Sequence, residues 1–299
     1  IEKYSRIPVQ VELSHEFRYR DPIVTKNTLI VAVSQSGETM DTLMATRYAK
    51  EQGAKVLAIC NTQGATLARE SDAVIYTHAG PEVAVASTKA LTAQITAGFL
   101  LALFLGAGRE QLSTAELRHL GLELLKMPAH VTEVIENLDL ARKLGKEMAN
   151  AKSVLFLGRN VGFPIAMEGA LKLKELAYIH AEGFAAGELK HGPIALIEEG
   201  QPVIVIVPSQ RDVESLHPKV ISNIQEIRAR GAKVIAIAEE GDNQVADYAE
   251  HVIFVPQSES MFAPILTVIP LQVFALELST AKGLDVDQPR NLAKSVTVE

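Results

Sequence analysis

Apolar residues in this chain gather into short continuous runs bounded by glycine, proline or polar residues. The runs are rich in Val, Ile, Leu and Ala and do not alternate with polar positions. This pattern is typical of strands in a parallel sheet that is covered on both faces. Segments with helical spacing lie between the runs, so the pattern predicts right-handed βαβ units in an open α/β sheet flanked by helices.

The predicted elements occur twice in the same order. The matching segments are Thr28–Gln35 with Pro202–Gln210, Gly53–Ile59 with Gly231–Ile237, and Asp72–Tyr76 with Glu250–Phe254. The offset between the copies grows from 175 to 178 residues, which indicates a small insertion. Such self-similarity predicts two domains of one fold, each running strand, helix, strand, short helix, strand and long helix.

The second copy begins earlier in its own pattern than the first. A strand over Ser153–Arg159 and a helix from about Pro164 to Tyr178 precede its first matched strand. The segment Ile7–Glu12 aligns with Ala177–Glu182, so Ile1 falls inside the first copy's equivalent of that helix. We therefore expect the first strand of the first copy, and the loop after it, to lie upstream in a longer protein.

These patterns divide the chain into four parts. We predict a first domain over residues 1–115, a helical connector over 116–145, a second domain over 146–285 and a C-terminal tail over 286–299. Apolar residues in the connector recur at helical spacing, and we expect this segment to pack between the two copies.

Composition and charge limit the possible partners. The 299 residues suit two globular domains, and 47% of them are hydrophobic and 22% charged. The net charge of −7, from 29 basic and 36 acidic residues, argues against nucleic acid and against an anionic membrane surface. An anionic small substrate stays possible if local donors overcome the overall sign.

The single cysteine and the apolar stretch Ile95–Gly108 both favour a cytoplasmic protein with ordinary cores. Cys60 excludes a disulfide framework within the chain and any multi-thiolate metal site, and its apolar surroundings favour a buried core thiol over a nucleophile. The stretch Ile95–Gly108 is 14 residues long and falls short of the ~20 needed to span a bilayer. We interpret it as part of a buried core helix.

A hydroxyl-rich loop, Ser34–Thr39, follows the first predicted strand and opens a helix. Ligands of open α/β sheets bind beyond the carboxyl ends of the strands, where a helix N-terminus favours anions. The loop therefore predicts a phosphate cradle, and the lack of a Walker lysine argues against a nucleoside triphosphate. The alternative is that Ser36 only caps the helix.

The equivalent loop of the second copy, Ser209–Glu214, has lost the glycine and gained two acids. Carboxylates there would repel an anion, so we expect one phosphate site per chain. A second hydroxyl cluster, Ala86–Lys89, precedes the long apolar helix of the first copy and taken alone is best explained as an N-cap.

The second copy offers acid–base groups. Glu168, Lys172 and Glu175 share one helix face, either as a solvated ion-pair stripe, which the pattern alone favours, or as a general base beside an ammonium. His191 lies in a glycine-containing loop, where it could transfer a proton near neutral pH. The histidine spacings match no metal-ligand motif, so we expect neither a catalytic metal nor a cofactor.

Five segments together resemble the isomerase half of the isomerising glutamine–fructose-6-phosphate aminotransferases. They are Ser34–Thr39, Glu82–Lys89, Ala170–Glu175, Gly187–Pro193 and Asp287–Glu299. The likeness covers essentially the whole chain and is most specific in the C-terminal run. It implies two tandem sugar-isomerase (SIS) domains, each a flavodoxin-like three-layer sandwich and the first truncated at its N-terminus, that convert fructose 6-phosphate and ammonia to glucosamine 6-phosphate.

The resemblance also implies roles for individual residues. Ser34, Gln35, Ser36 and Thr39 match the family's phosphate cradle, while Val85, Ser87 and Ala293 match its sugar contacts. Glu175 matches the base that moves a proton between C1 and C2, and Lys172 matches a position lining the site. His191 matches a ring-opening histidine supplied by the neighbouring subunit of a homodimer, and Lys294 matches a lysine that forms a Schiff base with the open ketose.

The family obtains its ammonia from a glutaminase domain, so we expect such a domain elsewhere in the full-length chain, and we expect the tail over 286–299 to close the active site. Two other functions fit the same fold. One is a stand-alone glucosamine-6-phosphate deaminase, and the other is a non-catalytic SIS protein that senses a sugar phosphate.

Overall fold

The computed structural model of the protein describes residues 1–212 and 214–297. Internal contacts divide the chain into two compact units. The first unit contains residues 1–119 together with the chain from Asn291 onward, and the second unit contains residues 120–290.

The second unit is built on a five-stranded parallel sheet. Its strands are β4 (Ser153–Gly158), β5 (His180–Ala185), β6 (Pro202–Ile206), β7 (Lys233–Glu239) and β8 (His251–Val255). They lie in the order β5-β4-β6-β7-β8, which is the flavodoxin-like order. The chain reverses its direction of growth between β4 and β6, and an open sheet of this kind binds ligands beyond the strand ends.

Both faces of this sheet are covered by helices. The helices of the second unit are α7 (Asp139–Glu147), α8 (Gly162–Ala177), α9 (His217–Arg228) and α10 (Ala263–Ala281). Leu155, Leu157 and Val205 pack with the apolar face of α9, while Phe156 packs against Gly169 of α8. This two-sided burial is what the continuous apolar runs predicted, and the parallel α/β fold is confirmed.

The first unit repeats part of that design. Its strands are β1 (Leu29–Ser34), β2 (Lys55–Cys60) and β3 (Ala73–Tyr76), and they form a three-stranded parallel sheet in that order. Its helices are α1 (Glu2–Ser5), α2 (Ser14–Phe17), α3 (Met40–Glu51), α4 (Thr66–Glu70) and α5 (Lys89–Gly108). From β1 to α5 the order is strand, helix, strand, short helix, strand and long helix, as the repeat predicted.

The alignment of Ile7–Glu12 with the region of β5 does not extend to structure, because residues 7–13 form no strand. In the second unit β5 pairs with β4, and the described part of the first unit contains no counterpart of β4 to pair with. For the same reason β1 has a strand neighbour on one side only, and Leu29 and Val33 are 46% and 50% exposed.

The short helix α1 matches the last turn of α8. Both helices end at a residue with left-handed backbone, Arg6 with φ 54° and Tyr178 with φ 56°. Tyr4 and Ser5 are buried, as are Leu176 and Ala177, so in the structure Ser5 matches Ala177 and the alignment of Ile7 with Ala177 is shifted by two residues. The two units therefore share this helix end as well as their strands.

The connector forms two helices, α6 (Thr114–Glu136) and α7, and α7 packs on α10 within the second unit. Two helices, α5 and α10, are long and apolar enough to cross a membrane by length and composition alone. About two thirds of the α10 window is buried, whereas only 33% of the α5 window is. The prediction of a buried core helix was therefore wrong for part of α5, where Phe104 is 74% exposed.

Candidate active site

The loop Ser34–Thr39 connects β1 to α3 at the carboxyl end of the first unit's sheet. Gly37 occupies the left-handed region with φ 69°, and a Cβ there would lie 2.6 Å from Cβ of Ala65 and 2.8 Å from Sγ of Cys60. Only glycine fits this position without strain. The tight turn brings the loop's hydroxyl groups to the start of α3, where unpaired N–H groups favour an anion.

Hydrogen bonds within the loop correct the alternative assignment of Ser36. Its hydroxyl accepts the N–H of Glu38 at 3.2 Å, and Ser34 accepts the N–H of Gly37 at 3.0 Å. The N-cap of α3 is Thr39, which makes no side-chain capping bond. Ser36 is therefore not the helix cap, and it orders the loop itself.

The segment that follows β2, up to the start of α4, also holds the loop Ser34–Thr39 in place. The carboxylate of Glu38 accepts the N–H of Thr66 at 2.8 Å, and this backbone hydrogen bond lowers the pKa of Glu38. The carbonyl of Gln35 accepts the N–H of Asn61 at 3.2 Å. Cys60 is fully buried beside the loop, and burial raises the pKa of its thiol, so the prediction of a core thiol is confirmed.

The C-terminal tail lies on this loop within the first unit. Oγ of Ser295 is 3.1 Å from Oγ of Ser36, and the carbonyl of Val296 accepts the N–H of Met40 at 3.2 Å. Ala293 is exposed, next to half-buried Lys294. Residues 298 and 299 of the predicted tail lie outside the described residues.

Lys294 projects to a second loop of the first unit, the segment from Glu82 to Thr88. Its ammonium donates to Oε2 of Glu82 at 2.8 Å and to the carbonyl of Ala84 at 2.7 Å. Val85 and Ser87 follow directly in this loop and are half-buried. The structure thus brings Lys294 to the loop that carries two of the predicted sugar contacts.

The start of α5 is capped by a residue that sequence reasoning left unassigned. Oε1 of Glu82 accepts the N–H groups of Thr88 at 2.8 Å and Ala90 at 3.2 Å. Thr88, the N-cap residue, makes no side-chain capping bond, so the interpretation of the hydroxyl cluster Ala86–Lys89 as the cap was wrong. The buried carboxylate of Glu82, seven residues before Lys89, caps the helix instead. The sequence signal for it is that Glu82 begins the segment Glu82–Lys89, one of the five that carry the family resemblance.

The equivalent loop of the second unit is closed by its own side chains. Glu239 accepts hydrogen bonds from Ser209 at 2.6 Å and from two nitrogens of Arg211, at 3.0 and 2.8 Å. The Glu239 contact raises the pKa of Arg211. These contacts tie the loop Ser209–Glu214 to the end of β7.

Helix α8 of the second unit carries a buried ionic cluster. Nζ of Lys172 lies 2.5 Å from Oε2 of Glu175 and 3.2 Å from Oε1 of Glu168, and the Lys172 side chain is only 3% exposed. The interpretation as a solvated stripe was therefore wrong. Burial raises the pKa of Glu168 even though Lys172 acts to lower it.

His191 ends a 3₁₀ turn (Ala186–His191) that follows β5, and its side chain is exposed.

The left-handed cap of α8, Tyr178, contacts Arg290. Its hydroxyl accepts the N–H of Arg290 at 2.7 Å, and its ring lies under the Arg290 guanidinium. Among the described residues, no group of three or more His, Cys, Asp and Glu side chains is arranged to hold a metal ion.

An open parallel sheet with a hydroxyl-lined loop at its carboxyl edge belongs to the α/β folds that bind ligands beyond their strand ends, and comparison with known proteins identifies the family. The profile of the SIS domain family matches residues 1–104 and 147–282, and the chain belongs to that family. Curated relatives at 58 to 66% identity are isomerising glutamine–fructose-6-phosphate aminotransferases, and the chain matches the C-terminal half of these proteins.

The relatives make this assignment specific. The aminotransferase of Corynebacterium efficiens is 65% identical over the whole chain, which spans 48% of that protein's length. The C-terminal domain of glucosamine-fructose-6-phosphate aminotransferase from Francisella tularensis superposes with a TM-score of 0.91 at 38% identity, over 96% of this chain and 81% of that one. The resemblance drawn from the five sequence segments is confirmed.

A third comparison shows how far the fold alone reaches. A glucosamine-6-phosphate deaminase from Thermotoga maritima superposes with a TM-score of 0.75 at 22% identity, over 99% of this chain and 83% of that one. Likeness at this identity shows a common fold, and the fold supports more than one reaction.

Proposed function

We propose that this chain is the isomerase part of a glucosamine-6-phosphate synthase. It converts fructose 6-phosphate and ammonia to glucosamine 6-phosphate and water, and a glutaminase domain of the full-length protein supplies the ammonia from glutamine. The names of the relatives and the site residues of both units support this reaction over a purely structural role.

One observation carries the proposal. Within the first unit, the tail that bears Lys294 is hydrogen-bonded to the loop that offers hydroxyl groups to an anion, through Ser295 and Ser36. An amine is thereby held beside a phosphate-binding loop. A sugar phosphate bound through its phosphate presents its carbonyl carbon to the amine, and the amine can attack it.

In this proposal the residues of the first unit bind the substrate and form the covalent intermediate. Ser34, Gln35, Ser36 and Thr39 bind the phosphate, and Val85, Ser87 and Ala293 contact the sugar. The unprotonated amine of Lys294 attacks C2 of the open ketose, and loss of water leaves an imine. Ammonia then displaces the lysine and stays on C2 as the amino group of the product.

The residues of the second unit move protons. Opening the ring of fructose 6-phosphate requires a proton shuttle at the ring oxygen, and His191, provided by the other subunit of a homodimer, takes that role. Glu175 removes a proton from C1 of the imine and returns one to C2, which converts the ketose skeleton to the aldose. Lys172 holds Glu175 in place through the contact of 2.5 Å.

A homodimer follows from the role given to His191, and twofold dimers are the commonest assemblies. Exposed Leu100 and Phe104, one turn apart on α5, supply apolar surface for a second copy. Sedimentation analysis of the wild type and of Phe104→Lys tests this step. The charged variant should dissociate at a higher protein concentration than the wild type does. We expect the protein to act in the cytoplasm.

The reaction is tested by proton NMR of fructose 6-phosphate in deuterated water. The wild type should exchange a proton at C1 and form glucose 6-phosphate, whereas Glu175→Gln should bind the sugar phosphate with unchanged affinity and exchange nothing. Glu182→Gln is the matched control, because Glu182 is a partly exposed carboxylate of the same unit that pairs with exposed His180.

Equal exchange by Glu175→Gln would exclude Glu175 as the base. Binding without exchange by the wild type would favour a sugar-phosphate sensor. Ammonia release from glucosamine 6-phosphate, without the forward reaction when ammonia is added, would favour a deaminase.

A further inference from the structure

Glu82 contacts two structural elements at once, and the role proposed for Lys294 makes that arrangement consequential. Oε1 faces the start of α5, where it accepts the N–H groups of Thr88 and Ala90 and a hydrogen bond from the Thr88 hydroxyl at 3.3 Å. Oε2 faces the tail and accepts the ammonium of Lys294 at 2.8 Å. The two oxygens thus serve different segments of the first unit.

The side chain of Glu82 is only 4% exposed and that of Lys294 is 27% exposed, so the carboxylate end of the pair is shielded from water. Burial acts to raise the pKa of this carboxyl, but the hydrogen bonds from Lys294, Thr88 and Ala90 outweigh it and hold the pKa below its ordinary value. The group is therefore a carboxylate at neutral pH and a poor proton acceptor. Such a group holds a cation in place rather than taking its proton.

Helix α5 explains why a carboxylate is needed here. It is 20 residues long and has no acidic residue in its first turn. A negative charge at a helix N-terminus is favoured by the helix dipole, and Glu82 supplies it from outside the helix. The segment between Glu82 and Thr88, which contains Val85 and Ser87, is closed into a loop by the same bonds.

We propose that Glu82 is a positioning residue that fixes the amine of Lys294 over the sugar-binding loop and, through its other oxygen, fixes the shape of that loop. The inference rests on the proposed function for the reactivity of Lys294. It goes beyond that function in assigning a role to a residue that itself touches no substrate.

The two oxygens allow the two tasks to be separated by substitution. In Glu82→Gln the amide oxygen can still accept the N–H groups of Thr88 and Ala90, but the amide nitrogen cannot accept a hydrogen bond from Lys294. In Glu82→Ala both tasks are lost. Glu70→Gln is the matched control, because it removes a carboxylate of the first unit that is paired with Arg47, away from the tail.

The first readout needs no catalysis. Limiting acetic anhydride acylates lysine amines, and peptide mass spectrometry gives the rate at Lys294 relative to exposed Lys89 in the same molecule. Loss of a shielded charge-assisted bond should raise the relative rate at Lys294 about tenfold in Glu82→Gln and leave it unchanged in Glu70→Gln. An unchanged rate in Glu82→Gln would overturn the proposal.

The second readout is borohydride trapping of the imine between Lys294 and fructose 6-phosphate. In Glu82→Gln we expect trapping at saturating sugar to slow about tenfold while the Kd for the sugar phosphate stays within about twofold. In Glu82→Ala the Kd should also rise about tenfold, because the sugar loop loses its tie.

The outcomes separate the two proposals. No trapping at Lys294 in the wild type would overturn the imine step of the proposed function, while the acylation rates would still decide whether Glu82 positions the amine. Normal trapping in the wild type with equal trapping in Glu82→Gln would overturn the positioning role alone.

Discussion

The loop Ser34–Thr39 of the first unit and its counterpart in the second unit, Ser209–Glu214, follow equivalent strands of the same fold. The two loops differ in the contacts that their side chains make. In the first unit the loop turns through Gly37 and leaves its hydroxyl groups beside a helix start. In the second unit Arg211 and Glu239 form an ion pair across the equivalent space. The position equivalent to Glu239 in the first unit is Asn61, which carries no charge and binds backbone groups instead.

This difference teaches that duplication of a fold does not duplicate a site. The strand ends and the helix start are present in both units, because they follow from the sheet. We expect anion binding to depend on the few side chains around them, because Arg211 and Glu239 already pair with each other at the second loop.

The largest effect on the difference between the two loops is expected from replacing Gly37. In Gly37→Val the side chain would meet Ala65 and Cys60 and force a left-handed backbone on a β-branched residue. We expect the affinity for fructose 6-phosphate to fall about a hundredfold, or about 3 kcal/mol, as measured by titration calorimetry. Asp212→Ala, in the loop Ser209–Glu214 of the second unit, should leave affinity unchanged, and a comparable loss there would show that the second loop also binds substrate.

Two hydrogen bonds near the two loops differ in burial. In the second unit Nε2 of His217 lies 2.7 Å from Oδ2 of Asp242, and both side chains are 2% exposed. In Asp242→Asn the carboxylate of this buried hydrogen bond is replaced by an amide, and we expect the free energy of unfolding to fall by about 2 kcal/mol. Glu38→Gln in the first unit, where the carboxylate caps α4, should cost less than about 1 kcal/mol. Urea denaturation of both variants measures the difference, and equal losses would contradict it.

Acid should affect the two units' buried carboxylates in opposite directions. The folded pKa of Glu82 lies below 4.5, so its contribution to stability is present above pH 4.5 and is lost as the pH falls through the folded value. The folded pKa of Glu168 lies above 4.5, so the folded state is penalised as the pH rises past 4.5.

As the pH rises from 4 to 7, Glu82→Gln should therefore become less stable relative to the wild type. Over the same rise Glu168→Gln should become more stable relative to the wild type. These are the smallest effects expected here, and urea denaturation over that pH range detects them. Trends of the same sign in the two variants would show that one of the two directions is wrong.

The sequence was sufficient for the strands and for the repeat, because two-sided burial leaves a direct pattern of continuous apolar residues. It was not sufficient for the burial of polar groups. Lys172 lies on a helix face with two acids, and that pattern is the same whether the face is solvated or covered. Glu82 was equally ambiguous, because a cap that acts from seven residues upstream leaves no local spacing.

Pairing was the other feature that the pattern could not supply. The segment Ile7–Glu12 matches the second copy in order, but a strand forms only where a neighbouring strand accepts its hydrogen bonds. The assignment of Cys60 to the core was correct because its whole surrounding segment is apolar, so one environment was available to it.

The one-sided pairing of β1 has a consequence for what can pair with it. An open strand edge carrying exposed Leu29 and Val33 is a template on which another strand can add. In the second unit β4 covers that edge of the equivalent strand β6. In the first unit the free edge of β1 is therefore the place where the strand expected upstream of Ile1 would add, as β4 does beside β6 in the second unit.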